Sequence, residues 1–413
     1  MNVTAKVVRA EDVGLNSERL AKIPAFMQSY LDSGKLAGVS TLVSRRGEIA
    51  HFECIGVKDK DTKAPLTHDT IFRIYSMTKP ITSLALMMLY EEGKFQLNHP
   101  VANYIPEFKK LKVWAGGTAE SFDTKPCERP MTIRDLLTHT SGLTYGFMMA
   151  HPVDAMYRAA GIDGANTVGM TLKEFVEKLA DIPLLFSPGE QWSYSVATDV
   201  CGRLVEILSG MSLDEFYATR IFKPLGMVDT GFHVPAEKLP RFASNYFKNP
   251  VTRKEGLMDK GDATSTYAKA PSFLSGGGGL VSTMTDYWRF CQMLLNGGEF
   301  DGHRFISRKT IEFMRMNHLP GDKTMKEMSS SAFSELAAEG TGFGLGFAVV
   351  IDPAEAQSIG SPGNYSWGGA ASTYFWIDPE EDMVTILMTQ LYPSSTYPLR
   401  PQLSQLVYAA IGD

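Results

Sequence analysis

The nine residues Phe72-Arg73-Ile74-Tyr75-Ser76-Met77-Thr78-Lys79-Pro80 lead into a run of apolar residues at helical spacing. This run predicts a buried amphipathic helix that ends near Gly93. Pro80 fits the first turn of such a helix, because the N–H group that proline lacks would have no partner there. Ser76 is therefore expected at the N-terminus of the helix, and Lys79 one turn further along the same face.

A serine hydroxyl and a lysine amine at this spacing can touch. If the amine is neutral, it can accept the hydroxyl proton and so produce a nucleophile. Lys79 begins a strongly apolar helix, where burial and the positive end of the helix dipole both favour the neutral amine. The alternative is a serine that caps the helix and a lysine that points into solvent. The pair by itself does not decide between these two interpretations.

The composition is that of an ordinary globular protein. The chain has 413 residues, of which 44% are hydrophobic and 21% charged, so it can bury a large core. A formal net charge of -6 gives no electrostatic reason to bind nucleic acid or an anionic membrane. The first residues show no apolar segment of a signal peptide. No apolar run approaches the roughly 18 residues of a membrane span, so we expect neither kind of partner.

The cysteines and histidines argue against a metal site. Cys54, Cys127, Cys201 and Cys291 are scattered without C-x-x-C spacing, a pattern that favours reduced thiols in the cytoplasm. The eight histidines form neither an H-E-x-x-H motif nor a tight cluster. We therefore expect a cytoplasmic protein without a metal or another cofactor.

Periodic patterns give the order of the elements outside the middle of the chain. In chain order they predict a helix over residues 15–33, strands over 38–44 and 49–55, the helix after Ser76, a helix over 285–295, strands over 344–351, 372–377 and 383–388, and a closing helix over 402–411.

Strand patterns are weak between about residues 97 and 269, where short helical patterns alternate with loops. Strands at both ends of a chain with helices between them indicate that the termini share one antiparallel sheet. The predicted fold is thus α+β, a single catalytic unit over residues 1–413. Residues 1–96 and 270–413 would form an α/β lobe, and residues 97–269 a mainly helical lobe, with the active site between the lobes.

A second motif is Phe186-Ser187-Pro188-Gly189-Glu190-Gln191-Trp192-Ser193-Tyr194-Ser195, in which Pro-Gly predicts a turn. Tyr194 is the candidate for chemistry, because a phenol can relay a proton when positive charge lies nearby. The alternative is an interior tyrosine that packs a loop.

A third motif is Tyr365-Ser366-Trp367-Gly368-Gly369-Ala370-Ala371-Ser372-Thr373. Two glycines at the start of a strand indicate that a ligand or another backbone approaches closely. An edge strand with unbonded N–H groups can also supply an oxyanion donor. The alternative is a common glycine-rich turn or bulge.

The three motifs in this order resemble the serine β-lactamase and penicillin-binding-protein superfamily, and most closely its class C branch with the family VIII carboxylesterases. The chain also looks like the fungal acyltransferases that make statin side-chain esters. Residues 136–143 and 277–283 are further stretches typical of that branch. The resemblance runs from about residue 38 to residue 388 and implies the β-lactamase/transpeptidase-like fold.

The resemblance also implies roles for single residues. Ser76 matches the serine that becomes acylated, Lys79 the lysine that accepts its proton, and Tyr194 the tyrosine that relays the proton to the leaving group. The backbone N–H groups of Ser76 and Ala370 would then form the oxyanion hole. His139 has no catalytic counterpart and is expected to be structural.

Two departures from the β-lactamase pattern affect the expected substrate. Tyr194-Ser195-Val196 replaces Tyr-x-Asn, and Trp367-Gly368 replaces the Lys-Thr of a Lys-Thr-Gly triad. The second change removes a charge-assisted contact to the β-lactam carboxylate, worth about 1.5–3 kcal/mol or more. Both changes favour neutral, apolar esters. A G-x-S-x-G elbow is absent, which excludes the α/β-hydrolase route to the same activity.

The sequence therefore predicts a serine carboxylesterase for short- to medium-chain acyl esters of small molecules. An acyltransferase that uses the same acyl-enzyme, or a weak β-lactamase or D-peptidase, is the alternative, and a non-catalytic relative is a third possibility. The expected substrate-binding residues are Trp367, Gly368, Gly369, Tyr145, Phe147 and Met148, although a core role for the last three is an equal alternative. The oligomeric state is not predicted.

Overall fold

The computed structural model describes residues 6–329 and 339–413. Its α-helices are α1 Ser17–Leu20, α2 Lys22–Asp32, α3 Thr78–Glu91, α4 Ile133–Leu137, α5 Pro152–Ala159, α6 Leu172–Leu179, α7 Ala197–Ser209, α8 Leu213–Tyr217, α9 Lys223–Leu225, α10 Met284–Leu295, α11 Arg308–Met314, α12 Met325–Met328 and α13 Leu399–Tyr408. Its strands are β1 Gly38–Arg45, β2 Glu48–Gly56, β3 Ile71–Arg73, β4 Lys112–Gly117, β5 Phe122–Pro126, β6 Asn245–Lys248, β7 Glu255–Asp259, β8 Val281–Thr283, β9 Glu299–Phe300, β10 His303–Arg304, β11 Thr341–Phe343, β12 Ala348–Val350, β13 Tyr365–Gly368, β14 Tyr374–Asp378, β15 Met383–Thr389 and β16 Leu391–Tyr392.

The largest sheet joins strands from the two ends of the chain. Its seven strands lie in the order β11-β12-β13-β14-β15-β1-β2, and every neighbouring pair is antiparallel. Within this sheet β1 pairs with β15, with Val39 opposite Thr389 and Arg45 opposite Met383. The termini thus share one antiparallel sheet, as the sequence predicted.

Both faces of this sheet are covered. Successive side chains of a strand point to opposite faces, so Leu42 belongs to the main core while Val43 packs into a second core behind the sheet. The main core holds α3, and the second core holds α2 and α13. Every residue from Thr78 to Leu89 of α3 is buried, as is typical of a helix in the centre of a large protein.

Several predicted elements are confirmed. The first hairpin, β14, β15, α10 and the last helix lie within a few residues of their predicted positions. Helix α3 ends at Glu91, and Gly93 follows with φ of +72°. In the middle of the chain, where short helical patterns were predicted, α4 begins with a capping box formed by Thr132 and Asp135.

Other elements differ from the prediction. The predicted helix over residues 15–33 is divided into α1 and α2. The predicted strand over 344–351 is shorter, because Gly344 N–H donates to the Phe347 carbonyl in a turn between β11 and β12. Ser76 lies in a 3-10 turn, Tyr75–Met77, directly before α3.

Residues 97–269 contain strands as well as helices. Strands β4 and β5 form one hairpin, while β6 and β7 form a three-stranded sheet with β16. The division into lobes 1–96 with 270–413 and 97–269 stays a prediction.

Among the described helices, none combines the length and the apolar character needed to cross a bilayer. In the same residues, His, Cys, Asp and Glu side chains form no group that could hold a metal ion.

Truncation of a side chain in α3 tests its central position. Leu84 is fully buried, so Leu84→Ala should lower the free energy of unfolding by about 2–5 kcal/mol, measured by urea denaturation. The control Val168→Ala, at a side chain that is 79% exposed, should change it by less than about 0.5 kcal/mol. Equal effects of the two substitutions would contradict the central position of α3.

Candidate active site

Ser76 lies in a turn whose backbone conformation is constrained. Strand β3 ends at Arg73, and Tyr75 follows with φ of +42°, an uncommon and strained conformation for an aromatic residue. The Tyr75 hydroxyl accepts a hydrogen bond of 3.0 Å from the Asn245 side chain on β6. The strained turn thus places Ser76 at the wall of a cavity.

The Lys79 amine reaches three oxygen atoms although its residue is only 1% exposed. Its Nζ lies 3.2 Å from Ser76 Oγ, 3.0 Å from the Tyr145 hydroxyl and 2.7 Å from the Gly277 carbonyl oxygen. None of these three partners is an ion. The arrangement holds the amine against the serine hydroxyl.

Tyr194 approaches Ser76 from another segment of the chain. Its hydroxyl donates a hydrogen bond of 2.6 Å to Ser76 Oγ, and Lys79 Nζ lies 4.5 Å from the centre of its ring. Tyr194 is thus close enough to both partners to take part in proton transfer.

Tyr145 completes the set of polar groups around the amine. Burial raises the pKa of Tyr145 well above its usual range, and the nearby Tyr194 adds to this shift. The phenol therefore stays neutral at ordinary pH. Its ring stacks on Phe147, with 4.7 Å between the ring centres.

Asp199, which was not among the residues predicted from the sequence, supports the position of Lys79 indirectly, through Gly277. One carboxylate oxygen accepts hydrogen bonds from Ser275 Oγ at 2.6 Å and from Gly277 N–H at 2.9 Å. It therefore fixes the segment whose Gly277 carbonyl contacts the amine. Burial raises the pKa of Asp199, and Lys79 opposes this shift. The one sequence signal is a carboxylate near the start of α7, between the apolar residues Ala197 and Val200.

Ser76 and Ala370 both border the same cavity. In the described part of the chain, neither of their backbone N–H groups donates a backbone hydrogen bond. Gly369 allows the two segments to approach closely, because a Cβ atom at this position would collide with the Ile74 carbonyl oxygen. Two amides without a backbone acceptor among the described residues thus lie at one cavity, and unbonded amides of this kind are what an oxyanion hole requires.

The cavity has a volume of about 450 Å³. Its wall includes four of the predicted substrate-binding residues, Tyr145, Phe147, Gly368 and Gly369, and also Ala165, Asn166, Met258, Tyr392 and Pro393. The charged side chains at the wall are Asp163 and Arg400. The aromatic and aliphatic side chains suit an apolar acyl or alcohol group.

Two predicted substrate-binding residues do not line this cavity. Trp367 is 2% exposed and packs its ring against Tyr194 and Phe343. Met148 packs against the main core. Alternate residues of a strand point to opposite sides. The Trp367 indole therefore packs against the Tyr194 ring and does not face the cavity.

His139 is buried and packs against Tyr194. Its Nδ1 lies 3.1 Å from Ser195 Oγ, and its ring packs on Tyr194 with 5.1 Å between the centres. Burial lowers the pKa of His139 well below its usual range, and the Lys79 charge lowers it further. The imidazole therefore stays neutral in the folded protein at neutral and mildly acidic pH.

The buried histidine predicts a pH dependence of stability. In the unfolded chain His139 binds a proton below about pH 6.5, whereas in the folded protein it does not. Stability should therefore fall as the pH drops below this value, by up to about 1.4 kcal/mol per pH unit from this group. His139→Asn, which tolerates the local φ of +56°, should lose less stability between about pH 7.5 and pH 5.

Urea denaturation at several pH values provides the measurement. His303→Asn, at an exposed histidine, is the control and should keep the wild-type pH dependence. An unchanged pH dependence in His139→Asn would show that His139 binds a proton in the folded state.

Comparison with known proteins agrees with the geometry. The family model described as beta-lactamase matches residues 23–409. Esterase EstB of Burkholderia gladioli is 32% identical over 409 residues, which cover 94% of this chain and 95% of EstB. The protein Rv1367c of Mycobacterium tuberculosis is 35% identical over 373 residues, 89% of each chain.

A solved structure extends the similarity to three dimensions. The structure of EstCE1, described as a hydrolase with promiscuous acyltransferase activity, aligns with a TM-score of 0.79 and 26% identity. The alignment covers 95% of this chain and 99% of EstCE1. A family model over almost the whole length and a relative above 30% identity lead to one conclusion: the chain belongs to the beta-lactamase family and has its antiparallel sheet flanked by helices.

Proposed function

We propose that this protein is a serine carboxylesterase that hydrolyses short- to medium-chain acyl esters through an acyl-enzyme on Ser76. The observation that carries the proposal is the contact of Ser76 Oγ with both Lys79 Nζ and the Tyr194 hydroxyl at the wall of a largely apolar cavity. The relatives EstB and EstCE1 are described as an esterase and a hydrolase, which supports the same class.

The hydrogen bonds of Lys79 suit its proposed role as the base. A neutral amine has two N–H groups and one lone pair. The Gly277 carbonyl can only accept a hydrogen bond, and the Tyr145 hydroxyl can accept the second. The lone pair then faces Ser76 Oγ, where a base is needed.

The reaction proceeds in two halves. Lys79 accepts the Ser76 proton as Oγ attacks the ester carbonyl, and the N–H groups of Ser76 and Ala370 stabilise the oxyanion. Tyr194 protonates the leaving alcohol and is reprotonated by Lys79. Water then attacks the acyl-enzyme, and the same groups return the proton to Ser76.

The cavity favours esters over β-lactams. At the position of the β-lactamase Lys-Thr pair, Trp367 packs behind Tyr194, and Gly368 adds no side chain to the wall. Ser195 follows Tyr194 and bonds to His139 rather than to a substrate. Weak β-lactamase or D-peptidase activity stays an alternative because the nucleophile would be shared.

A cytoplasmic location is part of the same proposal and rests on the scattered cysteines.

Substitution of the three central residues tests the proposal. Ser76→Ala and Lys79→Met should reduce p-nitrophenyl butyrate hydrolysis to near background, because each removes a group that the acylation step requires. Tyr194→Phe should lower kcat by roughly 100- to 10,000-fold. Initial rates of product release provide the measurement.

Ser29→Ala on α2 is a matched control at an exposed position and should keep the wild-type rate. Intact-mass analysis after treatment with a fluorophosphonate should show one adduct on wild type and none on Ser76→Ala. If Ser76→Ala kept most of the activity, the assignment of the nucleophile would be wrong.

Acyl transfer to an alcohol is the second candidate, because EstCE1 is described as a hydrolase with promiscuous acyltransferase activity. A cavity of about 450 Å³ can hold an alcohol beside an acyl-serine. With vinyl butyrate and an excess of benzyl alcohol, we expect benzyl butyrate beside butyric acid in gas chromatography. Butyric acid alone would remove this candidate.

A further inference from the structure

We propose that Arg400 is a positioning residue that orients and polarises the oxyanion donor at Ala370. The inference rests on the proposed function, because it concerns the same oxyanion hole. Arg400 lies in the first turn of α13, more than three hundred residues after Ser76 in the chain, and its side chain reaches the end of β13.

The contact is made through one peptide group. Arg400 Nη2 donates to the Gly369 carbonyl oxygen at 3.1 Å and to the Thr373 carbonyl oxygen at 3.2 Å. The Gly369 carbonyl and the Ala370 N–H belong to the same planar peptide unit. A hydrogen bond at one end therefore fixes the direction in which the other end points.

The same contact increases the polarity of the donor. Hydrogen bonds that share a peptide group polarise one another, and the effect is larger where water is excluded. A guanidinium at the carbonyl end draws electron density from the N–H end. The Ala370 N–H then binds a developing negative charge more strongly than it binds a neutral ester carbonyl.

The surrounding residues are arranged for this contact. A Cβ atom on Gly368 would collide with the Arg400 guanidinium, so the glycine leaves the space that the side chain occupies. The Arg400 guanidinium also lies 5.0 Å from the centre of the Tyr374 ring. A cation in the first turn of a helix is opposed by the helix dipole, so the position of Arg400 is not explained by helix stability.

A second donor supports the same carbonyl. Ser372 N–H donates to the Gly369 oxygen at 3.1 Å in a turn where Ser372 has φ of +67°. The Ser372 hydroxyl donates to the Leu391 carbonyl at 2.7 Å. The turn that carries Ala370 is thus held by its own backbone and by Arg400 from the last helix.

Arg400 also borders the cavity, so direct binding of a substrate carboxylate is the competing role. The two roles predict different kinetics. A positioning residue affects the rate with neutral esters, through kcat. A carboxylate-binding residue affects only esters with an anionic group, through KM.

The test compares Arg400→Met and Arg400→Lys with wild type on p-nitrophenyl butyrate and on the mono-p-nitrophenyl ester of glutaric acid. For Arg400→Met we expect kcat to fall roughly 10- to 100-fold on both esters, with KM changed by less than about twofold. Arg400→Lys should recover part of the rate, because an ammonium can donate to the same carbonyl. Added methylguanidinium should partly restore kcat in Arg400→Ala.

Arg19→Met is the matched control. Arg19 Nη1 donates to the Ala409 carbonyl just beyond the other end of α13, so it tests whether a weakened attachment of this helix is enough to reduce activity. Its kcat should stay at the wild-type value.

Three outcomes would overturn the inference: a wild-type kcat in Arg400→Met, a loss confined to KM for the anionic ester, or an equal loss in Arg19→Met. Fluorophosphonate labelling of wild-type Ser76 separates this failure from failure of the proposed function. Labelled wild type with an unchanged Arg400→Met removes only the role of Arg400, whereas unlabelled wild type removes the esterase proposal itself.

Discussion

The site depends on a buried amine that, within residues 6–329 and 339–413, has no ionic partner in hydrogen-bond contact. Lys79 Nζ meets three uncharged oxygen atoms at 3.2 Å or less, each from a different part of the chain. Polar groups removed from water need hydrogen-bond partners, and these three contacts supply them while they hold the amine against the serine hydroxyl. Asp199 is near, but its hydrogen bonds go to Ser275 and Gly277. The Asp199 carboxylate therefore fixes the position of Gly277, and the Gly277 carbonyl in turn binds the Lys79 amine.

Aromatic packing replaces polar contacts around the tyrosine. Where the β-lactamase pattern has an amide and a cation, this chain has Ser195 directed to His139 and Trp367 packed behind Tyr194. The rings of His139, Tyr145 and Trp367 all lie within 5.5 Å of the Tyr194 ring. The phenol is thus fixed by the shape of its surroundings, and the cavity remains mainly apolar.

The residues that could be predicted from the sequence are those marked by a pattern of nearby residues. Ser76 and Lys79 share one helical turn, and the sheet was predicted from strands whose side chains are regular and buried. Hairpin β4–β5 was missed because every residue of β5 is exposed, so no apolar alternation marks it. Asp199 and Arg400 were missed for another reason. Their partners at Gly277 and Gly369 are distant in sequence, and no local pattern reports such a contact.

The pairing of β1 with β15 sets the stage of synthesis at which the large sheet can be completed. The two strands are separated by some three hundred and forty residues, and contacts of such long range form slowly because a large loop must close first. During synthesis, the segment with Ser76 leaves the ribosome long before β13 and the last helix exist. The nascent chain therefore carries Ser76 without Ala370, and the cavity that both residues border cannot form until synthesis is nearly complete.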